Sequence, residues 1–63
     1  MCNKIREIAN KKNIRISHII SSTKLSKSFV YEVINGTSIP TVPSARLIAK
    51  SLNATLDEVF PDN

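Results

Sequence analysis

Residues 26 to 36, SKSFVYEVING, combine a helical apolar pattern with a set of polar side chains. Val30, Val33 and Ile34 follow the i, i+3, i+4 spacing of a helix that packs one face on a core. At 100° per residue the opposite side of this helix carries Ser28, Tyr31, Glu32 and Asn35. Hydroxyl, phenol, carboxylate and amide groups on one face have the chemical variety needed to read the edges of nucleic-acid bases.

Lys27 lies in the first turn of the same helix, where the positive end of the helix dipole disfavours it. Phosphates or guanine acceptors would neutralise that charge. The alternative is an ordinary surface helix whose Phe29 and Tyr31 pack under a neighbouring loop. The two interpretations are compatible, because one aromatic ring can pack while the polar face stays exposed.

The charges are divided unequally between the two halves of the chain. Residues 1–31 contain seven lysines and arginines against one glutamate, a net charge of +6. Residues 32–63 contain two against four acidic residues, a net charge of −2. A basic half on a small domain suggests a polyanionic partner. A basic surface that serves solubility remains the alternative.

The chain's 63 residues predict a single domain over residues 1–63, without room for an enclosed substrate cleft. Cys2 is the only cysteine and His18 the only histidine, so we expect no disulfide framework, metal site or other cofactor. His18 lies near three serines without an orienting acid, and we expect no enzymatic activity or small-molecule substrate. Apolar runs are too short for a membrane span or a secretory signal, which favours the cytoplasm.

Apolar spacing predicts the first three helices. The first runs from about residue 3 to 12, with Asn13 as a left-handed terminator. The second carries Ile16, Ile19 and Ile20 and stops, on a weak signal, near residues 21–23. Ser26 caps the third, and Asn35-Gly36 ends it.

Two further helices follow a loop at residues 37–42. Pro43 suits the first turn of the fourth helix, which extends to about Leu52. Thr55 and Glu58 form a capping box for a short last helix. Pro61 closes that helix, and no strand is predicted, so the fold class is all-α with five helices.

The order of these segments resembles the Cro and phage-repressor (XRE-like) type of helix-turn-helix DNA-binding protein, over about residues 3–60. The resemblance is carried by the turn at 23–25, by SKSFV at 26–30, by Asn35-Gly36 with Pro40 following, by IAKSL at 48–52 and by TLDEVF at 55–60. It implies a five-helix lambda-repressor-like fold. In that fold the second helix crosses the DNA backbone and the third lies in the major groove.

The same resemblance implies roles for individual residues. Lys27, Ser28 and Glu32 match base-reading positions, and Tyr31 lies beside them. The residues implied to contact phosphates are Ser26, Asn35, Thr37 and Ser38. Asn35 is also explained as a helix terminator, and both roles can hold. Glu32 faces a polyanion, so it either accepts a hydrogen bond from cytosine or penalises wrong sequences.

Glu32 is one of three departures from the family pattern, and the other two involve a pair of residues each. Arg15-Ile16 replaces the usual Ser-Gln at the start of helix two, so the cap is lost, although Arg15 can supply a phosphate contact through its charge. Ile16 is then a core residue or part of a partner surface. Ala9 and Ile34 replace an arginine–glutamate pair, and we predict that these two residues are in contact.

The resemblance finally implies a repressor of phage, prophage or mobile-element type that binds a palindromic operator in double-stranded DNA as a homodimer. Leu56, Val59 and Phe60 near the end of the sequence either finish the core or also form the two-fold contact. One alternative is the antitoxin of a toxin–antitoxin pair. Another is a protein-interaction module that uses Phe29, Tyr31 and Ile16 as its contact patch.

Overall fold

A computed structural model describes residues 3–61 of the chain. Within this range the chain forms five helices and no strand: α1 Ile5–Lys11, α2 Ile16–Thr23, α3 Lys27–Asn35, α4 Val42–Ser51 and α5 Leu56–Val59. The predicted all-α class is therefore confirmed. No helix among these residues has the length and apolarity required to cross a membrane.

One apolar cluster joins all five helices. Its members are Ile5, Ala9, Ile19, Val30, Val33, Ile48, Ala49, Leu52 and Val59. Each large aliphatic side chain in this cluster contributes about 1.5–3 kcal/mol by leaving water. Ile34 packs against the cluster that contains Ala9, so the two residues predicted to be in contact both lie on the core side. A direct contact between these two residues stays a prediction.

The ends of α3 and α5 follow the predicted capping chemistry. The Ser26 hydroxyl accepts a hydrogen bond from the Phe29 N–H at 3.2 Å. Gly36 has φ 81°, a left-handed conformation that glycine adopts without steric cost. At α5 the Thr55 hydroxyl accepts from the Glu58 N–H at 3.2 Å, and the Glu58 carboxylate accepts from the Thr55 N–H at 2.9 Å. These caps confirm the start and stop signals in the sequence.

The turn between α2 and α3 is sharper than the sequence indicated. Lys24 adopts a left-handed φ of 60°, which ends α2 in one step. Thr23 is buried, and its hydroxyl donates to the Ile19 carbonyl at 2.7 Å and accepts from the Leu25 N–H at 3.3 Å. The turn at residues 24–26 is thus fixed by hydrogen bonds within the chain. Asn13, with φ 56°, confirms the predicted left-handed end after α1.

Asn3 and Lys4 tie the start of the described chain to two distant helices. The Asn3 amide donates to the Val33 carbonyl in α3 at 2.6 Å, and its oxygen accepts from the Ile5 N–H at 3.2 Å. The Lys4 N–H donates to the Val59 carbonyl at 2.9 Å. The Asn3 bond to Val33 holds the last turn of α3, and the Lys4 bond holds α5.

Lys12 makes the other long-range polar tie. Its ammonium donates to the Leu52 carbonyl at 3.0 Å and to the Asn53 carbonyl at 2.7 Å. Both carbonyls follow the last turn of α4, where a positive charge is favourable. Lys12 therefore joins α1 to the end of α4.

Candidate nucleic-acid interface

The face of α3 opposite the core is exposed and polar. Val30 and Val33 are 0% and 1% exposed, which fixes the orientation of the helix. The exposed residues along it and at its cap are Ser26, Lys27, Ser28, Tyr31, Glu32 and Asn35. All four residues predicted to read bases are therefore exposed; Ser28, Tyr31 and Glu32 lie opposite the core, and Lys27 lies at the edge of this face.

The two aromatic residues of α3 differ in their environments. Tyr31 is 38% exposed, whereas Phe29 is half-buried and packs against the core. Ile16 also packs against the core. Of the three residues predicted as the contact patch of a protein-interaction module, only Tyr31 is exposed, and then to little more than a third of its surface.

Glu32 organises the loop that follows α3. Its carbonyl accepts from the Thr37 N–H at 2.9 Å, the Thr37 hydroxyl at 3.1 Å and the Ser38 N–H at 3.3 Å. Its carboxylate oxygen Oε1 accepts from the Ser38 hydroxyl at 3.0 Å. Each hydroxyl has one hydrogen to donate, and phosphate oxygens only accept. A phosphate contact by either hydroxyl would require that hydrogen to be redirected.

Arg15 stands at the N-cap of α2 and makes no side-chain cap, as the sequence predicted. The first N–H groups of a helix have no partner within it. Arg15 is exposed and makes no side-chain hydrogen bond or ion pair to any of residues 3–61. The start of α2 therefore combines an uncapped positive dipole end with a free guanidinium.

An open groove runs between α1, the start of α2 and α3. Its polar lining is formed by Arg6, Asn10, Asn13, Arg15, Ser17 and Tyr31, and none of its lining residues is acidic. Arg6 was missed in the sequence analysis. The spacing of Arg6 and Asn10 could have identified it, because residues four apart lie on one face of a helix. The groove extends the positive surface from α2 to the edge of α3.

The basic first half does not act as a single patch. Lys12 is bound to two carbonyls at the end of α4, so its charge has a structural role. The net charge of residues 1–31 therefore overstates the positive charge that a partner can contact, because one of the lysines caps the end of a helix. The groove beside α3 is identified by its lining instead of by the overall charge.

A second, apolar surface lies at the other end of the chain. Ile39 and Val42 are 74% and 59% exposed. We call the surface they form the C-terminal apolar groove, which is lined by Ile39, Pro40, Val42, Ala45, Leu56, Asp57 and Phe60. Phe60 is half-buried against the core, and Val59 is fully buried, so α5 both completes the core and contributes to this groove.

Two further titratable residues, His18 and Glu58, have hydrogen-bond partners within their own helices or helix caps. His18 Nε2 and the Ser22 hydroxyl are 3.2 Å apart on the exposed side of α2. Hydrogen bonds from Thr55 lower the pKa of the Glu58 carboxyl, and the nearby charges of Lys12 and Lys11 lower it further. Within residues 3–61 there is no group of three or more histidine, cysteine, aspartate or glutamate side chains placed to hold a metal ion.

No family model matches the chain, and comparisons with curated proteins and with solved structures also find no match. Its function must therefore be inferred from its residues and their placement.

Proposed function

We propose that this chain is a sequence-specific, double-stranded DNA-binding transcriptional regulator of the helix-turn-helix type, with α3 in the major groove. The observation that carries the proposal is the exposed face of α3, with four base-reading candidates in front and a buried apolar face behind. Those candidates are Lys27, Ser28, Tyr31 and Glu32. Direct readout of base edges requires accessible polar side chains of this kind along one side of the helix.

The size of α3 and its connection to α2 support the same function. Nine residues give a helix about 14 Å long, and a helix of ordinary diameter fits the major groove, about 12 Å wide. Only residues 24–26 separate α2 from α3, and the left-handed Lys24 turns the chain between them. A short fixed turn keeps the two helices in one orientation on the duplex.

Each base-reading candidate has a chemically matched partner. The Lys27 ammonium donates to guanine acceptors, and the Glu32 carboxylate accepts from the cytosine amino group. Ser28 can donate or accept, and the Tyr31 ring can contact the thymine methyl group. Glu32 also penalises sequences that offer it no donor, because its charge is then left beside phosphates.

Phosphate contacts would come from both sides of α3. Arg15 and the uncapped start of α2 offer a charge and free N–H groups to one phosphate, and Arg6 adds a second charge in the same groove. Ser26 accepts from the Phe29 N–H, which leaves its own hydrogen to donate to a phosphate oxygen. Asn35, exposed at the end of α3, supplies an amide donor.

The C-terminal apolar groove supports a two-fold assembly with a second copy of the chain. Ile39 and Val42 are exposed apolar residues that a self-complementary contact would remove from water. A dimer of this kind would place two α3 helices about 34 Å apart, one turn of DNA. The expected operator is then palindromic.

We further propose that the protein acts in the cytoplasm as a repressor of phage, prophage or mobile-element type by excluding polymerase.

The test is in vitro selection from a random duplex pool at near-physiological salt, followed by affinity measurements at several salt concentrations. The expected result is an inverted repeat with half-sites about one turn apart. Recovery of no motif, with binding lost at moderate salt, would show that the proposed sequence-specific function is wrong.

Two variants make the salt experiment specific. Arg15→Ala should reduce the slope of log affinity against log salt by about 0.9, the value for one phosphate contact. Lys50→Ala is the matched control, because Lys50 is an exposed cation on α4 that lines a groove with α5 residues. Equal slopes in the two variants would refute the phosphate role of Arg15.

A further inference from the structure

The contact between Ser38 and Glu32 joins the loop after α3 to the base-reading face. The Ser38 hydroxyl donates to Glu32 Oε1 at 3.0 Å across six residues of sequence. We propose that Ser38 is a positioning residue, which holds the Glu32 carboxylate in one orientation and so sets the base preference at the pair that Glu32 reads. This inference rests on the proposed function, and it adds a specificity-determining residue outside the recognition helix.

The backbone on both sides of the contact is fixed. The Glu32 carbonyl accepts three hydrogen bonds, two from Thr37 and one from the Ser38 N–H. Gly36 turns the chain with φ 81°, so the loop folds back onto the last turn of α3. Because the serine and the glutamate belong to one hydrogen-bonded frame, their side chains meet with little additional ordering.

A carboxylate on an exposed helix face is otherwise poorly ordered. A glutamate side chain has three rotatable dihedrals and loses much of its freedom when a partner fixes it. A side chain that is already held in the binding orientation avoids part of this loss. The Ser38 hydroxyl engages only Oε1, so Oε2 has no hydrogen-bond donor among residues 3–61 and can accept from a cytosine amino group.

The same contact changes the role implied for Ser38 by the family resemblance, which was a phosphate contact. The single hydroxyl hydrogen is donated to the Glu32 carboxylate, a charged acceptor that binds it more strongly than a neutral one. The two roles have different consequences. Loss of a phosphate contact lowers affinity for all sequences alike, whereas loss of a positioning contact changes the preference among bases.

Two variants whose new side chains have the same shape as each other test the proposal on the full chain. Ser38→Thr keeps a hydroxyl and Ser38→Val replaces it with a methyl group, so the pair differs mainly in the hydrogen bond. The measurement is the affinity for the selected operator and for duplexes that carry the other three base pairs at the Glu32 position. We expect Ser38→Val to reduce discrimination there by about threefold to tenfold, the range that one hydrogen bond supplies, and Ser38→Thr to retain it.

The control variant is Ser44→Ala, which removes a serine hydroxyl that accepts from the Thr41 hydroxyl at 3.2 Å. It should leave base discrimination unchanged. A double-mutant cycle adds Glu32→Ala, in which Ser38→Val should cause no further change in preference because its acceptor is gone. Thermal unfolding of each variant shows that the compared proteins are folded.

Three outcomes would overturn the inference. Equal loss of affinity for every duplex in Ser38→Val would identify a phosphate contact instead. A change of preference that persists in the Glu32→Ala background would show that Ser38 acts without the glutamate. If the wild-type chain enriches no sequence, the proposed function itself fails, and the positioning role fails with it.

Discussion

Lys12 should contribute more to the free energy of unfolding than any neighbouring surface lysine. It does so although it belongs to the basic segment, residues 1–31, that the charge distribution predicts to contact a polyanion. Its ammonium donates to the carbonyls of Leu52 and Asn53, at 3.0 and 2.7 Å. The substitution Lys12→Met keeps most of the alkyl chain and removes the charge and both hydrogen bonds. The free energy of unfolding should therefore fall while the apolar contacts of the stem remain.

The magnitude follows from the surroundings of the two carbonyls. A hydrogen bond to a charged group contributes about 1.5–3 kcal/mol when its partner is left without a replacement. Leu52 is fully buried and its bond to Lys12 is partly buried, whereas the Asn53 bond is exposed and water can replace it. We therefore expect a loss of about 1–2 kcal/mol. In a domain of this size that loss lowers the unfolding midpoint by about 5–15 °C.

Urea and thermal unfolding followed by far-UV circular dichroism would measure this effect. Lys11→Met is the matched control, since Lys11 is an exposed lysine in the last turn of α1 without a hydrogen bond to any of residues 3–61. It should cost only a few tenths of a kcal/mol. Equal losses in the two variants would refute the assignment of a structural role to Lys12.

Three further predictions concern other parts of the fold. Hydrogen bonds from Thr55 hold the pKa of Glu58 below its usual 4.5. The stability that the ionised carboxylate provides is therefore fully present above about pH 4.5 and is lost as the pH falls through the lowered pKa. Glu58→Gln should flatten this part of the profile of unfolding free energy against pH. Ile39→Glu should prevent cooperative binding to a two-half-site duplex and leave the unfolding temperature unchanged, whereas Leu47→Glu, at another exposed apolar residue, should bind normally in the same gel-shift titration. Lys24→Gly should raise the free energy of unfolding by about 0.5–1 kcal/mol in urea titrations, because glycine adopts the left-handed backbone of this position without strain; a destabilised variant would contradict that reasoning.

The ends of α3 and α5 were predictable because their capping residues act on near neighbours in the sequence. Ser26, Gly36 and the Thr55–Glu58 pair act through neighbours three or four residues away, so their types and spacing are sufficient to place a helix end. The left-handed Lys24 gave no such signal, because lysine has no intrinsic preference for that conformation. It is imposed by the packing of α2 and α3 on one core.

The candidate site was predictable in its residues and less so in its hydrogen bonds. Periodicity alone placed Ser28, Tyr31 and Glu32 on one face of α3, and all three are exposed there. The bond from Ser38 to Glu32 depends on how the loop folds back, which spacing does not specify. The structural role of Lys12 depends on a partner forty residues away along the chain.

The bond between the Lys4 N–H and the Val59 carbonyl joins opposite ends of the described chain. Its consequence concerns synthesis on the ribosome, where the chain emerges from its N-terminus. The segment around Lys4 appears early, but its partner in α5 is among the last parts of the described chain to emerge. Contacts between residues so distant in sequence slow folding, because the intervening chain must be ordered before they form. We therefore expect the bond between Lys4 and Val59 to be among the last long-range contacts of the fold to form, after α5 has been released from the ribosome.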